Sequence, residues 1–345
     1  MKRLSWLVLA GVALLLGFLG LGAINNPQQQ QKLKDLIAQL SGGQSAATTA
    51  PPARGNDTVR VASFNIQVFG EAKLSDQASM DSIVAILQNF DLIAIQEVRS
   101  ISQDVLPRLV ALLNAGGKYQ YDYAIGPRLG RTTSKEQYAF VFDTATIEID
   151  RSQLYTVVEE QGDRLHREPL VGLFRARGPA PQQAFTFSLV AVHTDPDEVD
   201  SELAALQEVF YAVRDDKVRR EDDVIMLGDF NARADGLREL GEVPGLVRVI
   251  SGSTPTNTAR TAQYDNILFH DAATSEFTGR GGVYDFMRDF NLTQDQAERV
   301  SDHLPVWAEF SVYEGGRPGP IAARPAVGSR GSGVGGRTSG LSGLF

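Results

Sequence analysis

The chain has 345 residues, of which 43% are hydrophobic, so it can build one large domain or two ordinary ones with a sizeable core. Its 33 Lys and Arg against 42 Asp and Glu give a net charge of −9, which argues against a protein that coats nucleic acid nonspecifically. There is no cysteine, which excludes disulfides, thiolate nucleophiles and cysteine-ligated zinc.

The N-terminus reads as a targeting segment. Lys2 and Arg3 precede an uncharged apolar stretch, residues 4–24, which is long enough to span a bilayer and longer than a usual signal core. Gly22 and Ala23 make a poor cleavage site, so we predict that residues 1–24 are an anchor rather than a cleaved signal. The basic pair would stay in the cytoplasm, and the rest of the chain would be exported. It would be secreted instead if the segment were cleaved.

Three further regions follow from composition. Residues 25–57 contain apolar residues at helical spacing and then a Pro, Ala and Thr-rich run, which predicts a stalk helix and a flexible linker. Residues 58–313 are the predicted folded domain. Residues 314–345 are rich in Gly, Ser and Arg without periodicity, which is typical of a disordered tail.

Within the predicted domain, short apolar runs are typical of buried strands. Seven runs fit that description: RVASFNIQVF, DLIAIQEV, YAFVFD, FTFSLVAVHT, VIMLGDF, YDNILF and VWAEFSV. Two stretches carry apolar residues at helical spacing, SMDSIVAILQNF and ELAALQEVFYAVRDD. Strands mixed with single helices predict an α/β sandwich with buried sheets.

Polar side chains stand at or near the ends of these strands. One strand ends in Gly-Asp-Phe-Asn, where Asp229 and Asn231 are one residue apart and point the same way if the segment is extended. The chain has four His in all, and two of them stand in such positions. The other strand-end residues are Asn65, Glu97, Glu136, His193, Asp265, Asp302 and His303.

This set of residues suits the hydrolysis of phosphodiesters. Asn65, Glu97 and Asp302 offer the hard oxygen ligands that Mg²⁺ prefers, or Mn²⁺ in its place. One His would take a proton from attacking water, and a second donor would assist the departing oxygen. Each His then needs an acidic partner to fix its tautomer.

Seven motifs together resemble the endonuclease/exonuclease/phosphatase superfamily in order and spacing. They are FNIQVFGE, IAIQEVR, GRTTSKEQYAF, VAVHT, MLGDFNA, AQYDNI and SDHLPV, and they extend from about Val59 to Phe310. The segments LGR..SKEQYAF and HREP are similar to those of the deoxyribonuclease I-like branch. The resemblance implies a four-layered sandwich, with two packed β-sheets flanked by helices.

The resemblance also implies a role for each site residue. The implied metal ligands are Asn65, Glu97 and Asp302. The implied catalytic groups are the general base His303 with Asp265, the second histidine His193 with Glu136, and the pair Asp229 and Asn231 that orients water and phosphate. The implied DNA contacts are Arg99, Arg131 and Arg167.

The chain departs from the family pattern at four places. Ser134 stands where the secreted animal enzymes have a groove-binding tyrosine, and Gln67 stands where they have an arginine. The family's cysteine pair falls on Ala234 and Ala262. A calcium site expected near Thr254 to Arg260 lacks an aspartate.

The predicted function is therefore a Mg²⁺-dependent DNA endonuclease, monomeric, exported and attached to the membrane by its N-terminal segment. Two alternatives use the same fold: a lipid-headgroup phosphoesterase of the sphingomyelinase or inositol-phosphate phosphatase type, and a catalytically idle binding module. RNA or nucleotide substrates stay open as well.

Overall fold

The structure is a computed structural model that describes residues 51, 54–131, 134–159 and 162–316. The predicted anchor (1–24), the stalk helix and almost all of the linker lie outside these residues, as does the tail beyond residue 316. None of the helices in the described part of the chain is long and apolar enough to cross a membrane.

The described residues form twelve strands and seven helices. The strands are β1 (Thr58–Phe69), β2 (Leu92–Val98), β3 (Tyr121–Ile125), β4 (Gln137–Asp143), β5 (Ile147–Thr156), β6 (Leu170–Ala176), β7 (Thr186–His193), β8 (Val224–Asp229), β9 (Leu246–Arg248), β10 (Asp265–His270), β11 (Phe277–Val283) and β12 (Val306–Ser311). The helices are α1 (Glu71–Ser75), α2 (Gln77–Leu87), α3 (Val105–Asn114), α4 (Val199–Arg214), α5 (Arg238–Gly241), α6 (Phe286–Asp289) and α7 (Gln294–Val300).

The strands make two mixed six-stranded sheets. Sheet 1 has the order β11-β12-β1-β2-β4-β3, and sheet 2 has the order β5-β6-β7-β8-β10-β9. Each sheet has one parallel pair among these ladders, β1 with β2 and β7 with β8, and the remaining pairs are antiparallel. The predicted α/β sandwich of two packed sheets flanked by helices is confirmed.

The main core lies between the sheets and is rich in aromatic rings. Phe140 of sheet 1 meets Phe174 of sheet 2 edge to face at 5.3 Å, and Phe185 stacks on Phe310 at 5.8 Å. All four rings are at most 1% exposed. Truncation of such a ring to alanine costs about 3–5 kcal/mol, so these contacts fix how the two sheets face each other. A second core joins α4 to the outer face of sheet 2.

All seven predicted strand runs lie on strands, and both predicted helices are present as α2 and α4. Five strands were not predicted: β3, β5, β6, β9 and β11. β11 has the sequence FTGRGGV, whose glycines weaken strand propensity, and most of β5 is partly or fully exposed. Their pairing partners, rather than their own sequences, hold them in the sheets.

Ordered structure reaches slightly beyond the predicted bounds of 58 and 313. The Arg54 guanidinium donates to Asp91 and also forms an ion pair with Asp143 at 3.0 Å. At the other end, residues Glu314–Gly316 form a short 3₁₀ turn. The folded unit therefore includes Arg54, which the sequence places in the linker.

A hydrogen bond joins the two segments that contain Ala234 and Ala262, the positions on which the family's cysteine pair falls. Gln263, next to Ala262, accepts from the backbone N–H of Ala234 at 2.7 Å. The neighbouring loop is closed by Asn257, whose side-chain oxygen accepts from the N–H of Thr261 at 2.9 Å. The buried side-chain amide of Gln263 thus links the two segments at the place where the family has its cysteine pair.

Candidate active site

The site lies where the carboxyl ends of the two parallel pairs meet. Asn65 is on β1 and Glu97 on β2, whereas His193 and Asp229 end β7 and β8 directly opposite each other. Asn65 Nδ2 donates to Asp229 Oδ2 at 3.1 Å and to Glu97 Oε1 at 3.3 Å. A single amide therefore connects sheet 1 to sheet 2 at the site.

The close approach of β7 explains why a glycine, Gly228, precedes Asp229. Its φ is +152°, and a Cβ built at this position would lie 1.9 Å from the carbonyl oxygen of Val192. No side chain fits there, so β7 and β8 can approach closely enough to place His193 beside Asp229. Asn231 has a φ of +46°, in the left-handed region that Asn adopts more readily than most residues, and its side-chain amide donates to the carbonyl of Thr194 at 2.9 Å.

Each of the two histidines is held by its own carboxylate. His303 Nδ1 lies 2.8 Å from Asp265 Oδ2, and His193 Nδ1 lies 2.6 Å from Glu136 Oε1. A carboxylate at Nδ1 keeps the proton on that nitrogen and leaves Nε2 for chemistry. Both Nε2 atoms face the same oxygen, Asp229 Oδ2, at 3.5 and 3.6 Å.

The charge around the histidines favours their protonated forms. Burial lowers the pKa of His303, but the carboxylates of Asp265 and Asp229 outweigh it and raise this pKa to about 10. Burial likewise lowers the pKa of His193, and the Glu136 carboxylate raises it above its ordinary value. Burial raises the pKa of Glu136, but His193 and then Arg167 bring it below the usual range.

The backbone near Glu97 is strained in a way that aims its side chain. Glu97 has a φ of +61° and Val68 a φ of +50°, both in the left-handed region. The two residues meet, because Glu97 Oε2 accepts from the N–H of Val68 at 2.8 Å. Non-glycine residues in this region persist only when their surroundings hold them there, and they cluster at functional sites.

The three predicted metal ligands fit a hard divalent cation. Asn65 Oδ1 and Asp302 Oδ1 are buried oxygens without a hydrogen-bond partner. Gln67 donates to the other oxygen of Asp302 at 2.9 Å and so fixes its orientation. With Glu97, these residues offer only oxygen, which matches Mg²⁺ or Mn²⁺ rather than zinc.

The three predicted arginines occupy different environments. Arg99 is at the site, where its guanidinium pairs with Glu97 at 2.9 Å and with Glu136 at 3.3 Å. The side chain of Arg131 is 30% exposed and pairs with Glu198 at 2.6 Å. Arg167, by contrast, is only 8% exposed and donates to the carbonyls of His193 and Thr194, both at 3.1 Å. Its guanidinium therefore holds the end of β7 in place, and its predicted contact with DNA stays a prediction.

Three residues support the site without having been assigned a role from sequence. Lys73 Nζ donates to the carbonyls of Gln67 and Val300, and its burial lowers its pKa to about 8. Ser301 Oγ donates to the carbonyl of Asn65 at 2.7 Å, and Thr256 Oγ1 donates to Asp265 Oδ2 at 2.7 Å. Ser301 could have been found from its place in the Ser-Asp-His motif, but Lys73 and Thr256 carry no local signal.

Comparison with known proteins agrees with this geometry. The model of the Endonuclease/Exonuclease/phosphatase family matches residues 62–303, a span that contains every site residue named above from Asn65 to His303. The chain belongs to this family of enzymes. Within it, the chain belongs to the deoxyribonuclease I-like branch, as its relatives show.

Three relatives illustrate the similarity. Deoxyribonuclease gamma of Rattus norvegicus is 31% identical over 263 residues, which cover 72% of this chain and 83% of the relative. Deoxyribonuclease-1-like 1 of Sus scrofa is 32% identical over 272 residues, 75% of this chain and 83% of the relative. Deoxyribonuclease-1-like 1 of Homo sapiens is 31% identical over 282 residues, 78% of this chain and 90% of the relative.

Proposed function

We propose that this protein is a divalent-metal-dependent endonuclease that hydrolyses phosphodiester bonds of DNA. The observation that carries the proposal is the pair of histidines, each held at Nδ1 by a buried carboxylate and each facing Asp229 through Nε2. Two histidines whose Nε2 atoms face the same oxygen, Asp229 Oδ2, suit a reaction that removes one proton and supplies another.

The chemical step uses both histidines. Nε2 of His303 accepts a proton from water as the water oxygen forms a bond to phosphorus. The phosphorus–oxygen bond on the opposite side breaks, and the departing sugar oxygen takes a proton from Nε2 of His193. Asp265 and Glu136 stabilise the imidazolium forms. Asp229 and Asn231 orient the water and the phosphate.

Asn65, Glu97 and Asp302 would hold the metal, Mg²⁺ or Mn²⁺ in its place. When bound, the cation supplies positive charge that neutralises the phosphate and opposes protonation of the adjacent His303. Arg99 keeps Glu97 and Glu136 in position through its two ion pairs.

DNA is the proposed substrate because the three relatives are named as deoxyribonucleases. Arg99 and Arg131 keep side chains that are 28% and 30% exposed and can contact phosphates. We propose that the enzyme acts as a monomer. The site is complete within one chain, which supports this state.

The decisive experiment is a plasmid-nicking assay on the full-length protein with Mg²⁺, with and without EDTA. Asp229→Asn preserves side-chain volume but removes the charge that both Nε2 atoms face, so we expect nicking to fall by about 10²–10³-fold. His270→Ala, which removes a histidine outside the site, is the matched control. Release of phosphocholine from sphingomyelin without nicking would favour the lipid-headgroup alternative.

We also propose that the protein is exported and held at the membrane by residues 4–24, with the domain on the non-cytoplasmic side. Lys2, Arg3 and the uncharged stretch after them support this placement. The full-length protein should then pellet with membranes and resist carbonate extraction. A soluble protein whose sequence starts near Ile24 would show cleavage instead.

A further inference from the structure

A second group of acidic side chains lies at the other end of β8. Asp223 directly precedes this strand and Asp229 ends it, and its six residues span about 20 Å. The group is therefore separate from the active site. We name it the acidic cluster and define it by five residues: Glu221, Asp223, Thr274, Glu276 and Glu314.

The acidic cluster joins three distant parts of the chain. Asp223 leads into β8 of sheet 2, Glu276 leads into β11 of sheet 1, and Glu314 belongs to the turn that follows β12. Carboxylate oxygens from these three residues all lie within 4.8 Å of one another. Both sheets and the end of the domain therefore converge on one small volume.

Several buried oxygens in the acidic cluster lack a partner. Asp223 is 3% exposed and Glu276 is 2% exposed, yet Asp223 Oδ1 and Glu276 Oε2 accept no hydrogen bond. Thr274 lies beside Asp223 and is 2% exposed, and its hydroxyl has no partner of good geometry either. Unpartnered buried oxygens of this kind are rare in proteins, because burial removes the water that would otherwise donate to them.

The acidic cluster contains only carboxyl and hydroxyl side chains. Among the described residues, no Lys, Arg or His forms an ion pair with a carboxylate of the acidic cluster. Burial raises the pKa of Asp223 to about 9, and the carboxylates of Glu276, Glu221 and Glu314 add to the rise. The site at the other end of β8 differs, since its carboxylates face His, Asn and Arg.

We propose that the acidic cluster is a binding site for a structural Ca²⁺ ion, held by Asp223, Glu276 and Glu314 with the Thr274 hydroxyl. Glu221 orients the cluster, because it accepts from the N–H of Asp223 at 3.0 Å and from the hydroxyl of Thr186. Glu314 is exposed, so an ion can enter the acidic cluster from solvent. The bound ion links sheet 1, sheet 2 and the end of the domain.

The ligands favour Ca²⁺ over other ions. All of them are oxygens, which disfavours zinc and other metals that seek nitrogen or sulfur. Three carboxylates crowd the position, whereas Mg²⁺ usually takes one or two and keeps several waters in a strict octahedron. Ca²⁺ accepts six to eight oxygens in irregular arrangements, including bidentate carboxylates.

The test is thermal unfolding of the full-length protein after treatment with EDTA, with CaCl₂ or MgCl₂ added back. Ca²⁺ at about 100 times its Kd should raise Tm by about 5–10 °C, and Mg²⁺ should raise it less. Asp223→Asn with Glu276→Gln should abolish this rise and should not lower Tm in EDTA. Glu239→Gln removes an exposed carboxylate on α5 and should respond to Ca²⁺ like wild type.

The active site must be excluded as the source of the effect. Glu97→Gln with Asp302→Asn removes two of its metal ligands, and this variant should keep the Ca²⁺-dependent rise and bind one Ca²⁺ in a calorimetric titration. Glu314→Gln keeps the buried pair intact and should weaken that binding by about tenfold. Loss of the rise in the active-site variant, or an unchanged rise in Asp223→Asn with Glu276→Gln, would overturn the proposal.

Discussion

The two ends of β8 handle buried negative charge in opposite ways. At the Asp229 end, both carboxylate oxygens of Asp229 accept a hydrogen bond, and Nε2 of each histidine lies within 3.6 Å of Asp229 Oδ2. At the Asp223 end, the acidic side chains form no ion pair with any Lys, Arg or His that the structure describes. Under the two proposals made above, the first arrangement serves proton transfer and the second binds a cation, at opposite ends of one strand.

Removal of His303 tests the proposed catalytic role of the Asp229 end most directly. His303→Ala should lower kcat by about 10²–10⁴-fold while the fold stays intact, because a positioned base contributes about that much. Plasmid nicking and circular dichroism would measure the two effects. By contrast, Asp223→Asn should leave kcat within about twofold, since it lies about 20 Å away. Wild-type turnover in His303→Ala would remove His303 from the role of base.

Gly228 allows β7 and β8 to approach closely enough to place His193 beside Asp229. Gly228→Ala would place a Cβ 1.9 Å from the Val192 oxygen, so we expect a loss of about 3 kcal/mol or more in the free energy of unfolding, with loss of nicking. Urea denaturation measures the first effect. Gly178→Ala is the control, because Gly178 also has a positive φ of +119° but nothing near its Cβ. Equal losses in both variants would show that φ strain alone is responsible.

Glu202 is a buried carboxylate near the active site that accepts hydrogen bonds from two backbone N–H groups. It accepts from the N–H of His166 at 2.8 Å and of Asp195 at 3.1 Å, and burial raises its pKa to about 7. A carboxyl whose folded pKa exceeds its unfolded pKa binds its proton more tightly in the folded state. Ionisation of Glu202 should therefore contribute a fall of about 1–3 kcal/mol in the free energy of unfolding between about pH 4.5 and pH 7.

Glu202→Gln cannot ionise, so it should show a smaller fall in unfolding free energy over the same pH range. Urea denaturation in metal-free buffer at several pH values measures this difference. Glu239→Gln, exposed on α5, should retain the wild-type fall. An identical pH profile for Glu202→Gln and wild type would show that Glu202 is not the titrating group.

Ser134 lies beside the active site, and we expect substitutions there to change the affinity for substrate. Its hydroxyl accepts from Arg99 at 2.9 Å, so it orients a residue that also holds Glu97. Ser134→Tyr should lower KM for duplex DNA by about threefold to tenfold through an aromatic contact, and should weaken the salt dependence of KM. Ser134→Ala removes the hydroxyl without adding a ring and should not lower KM. Equal KM values for both variants across salt would argue against duplex DNA at this position.

Much of the site could be predicted because its residues stand at or near the ends of strands. Buried strands are visible as apolar runs, and polar residues at their ends stand out against them, as with Asn65, Glu97, His193 and Asp229. Carboxyl ends of parallel neighbours share one edge of a sheet, so such residues meet. The family resemblance then added the pairing of His303 with Asp265, which adjacency in sequence does not show.

Other features depend on contacts that no local pattern contains. Arg167 looks like any basic residue near a site, and only the fold shows that it is buried under His193. Lys73 lies on an ordinary short helix, yet it closes the backbone around Gln67. The Gly-rich β11 has little strand propensity and is ordered by β12. These features follow from partners that are remote in the chain.

The pairing of β1 with β12 has a consequence for the making of the protein. These are the first and last strands of the described domain, and Ser301, which precedes β12, donates to the carbonyl of Asn65 on β1. A ribosome releases Asn65 early but Asp302 and His303 only near the end of synthesis. Under the proposed function, a half-made chain therefore lacks its general base and part of its metal ligands, and it cannot cleave nucleic acid inside the cell that makes it. Contacts between such distant residues also slow folding, which extends this interval.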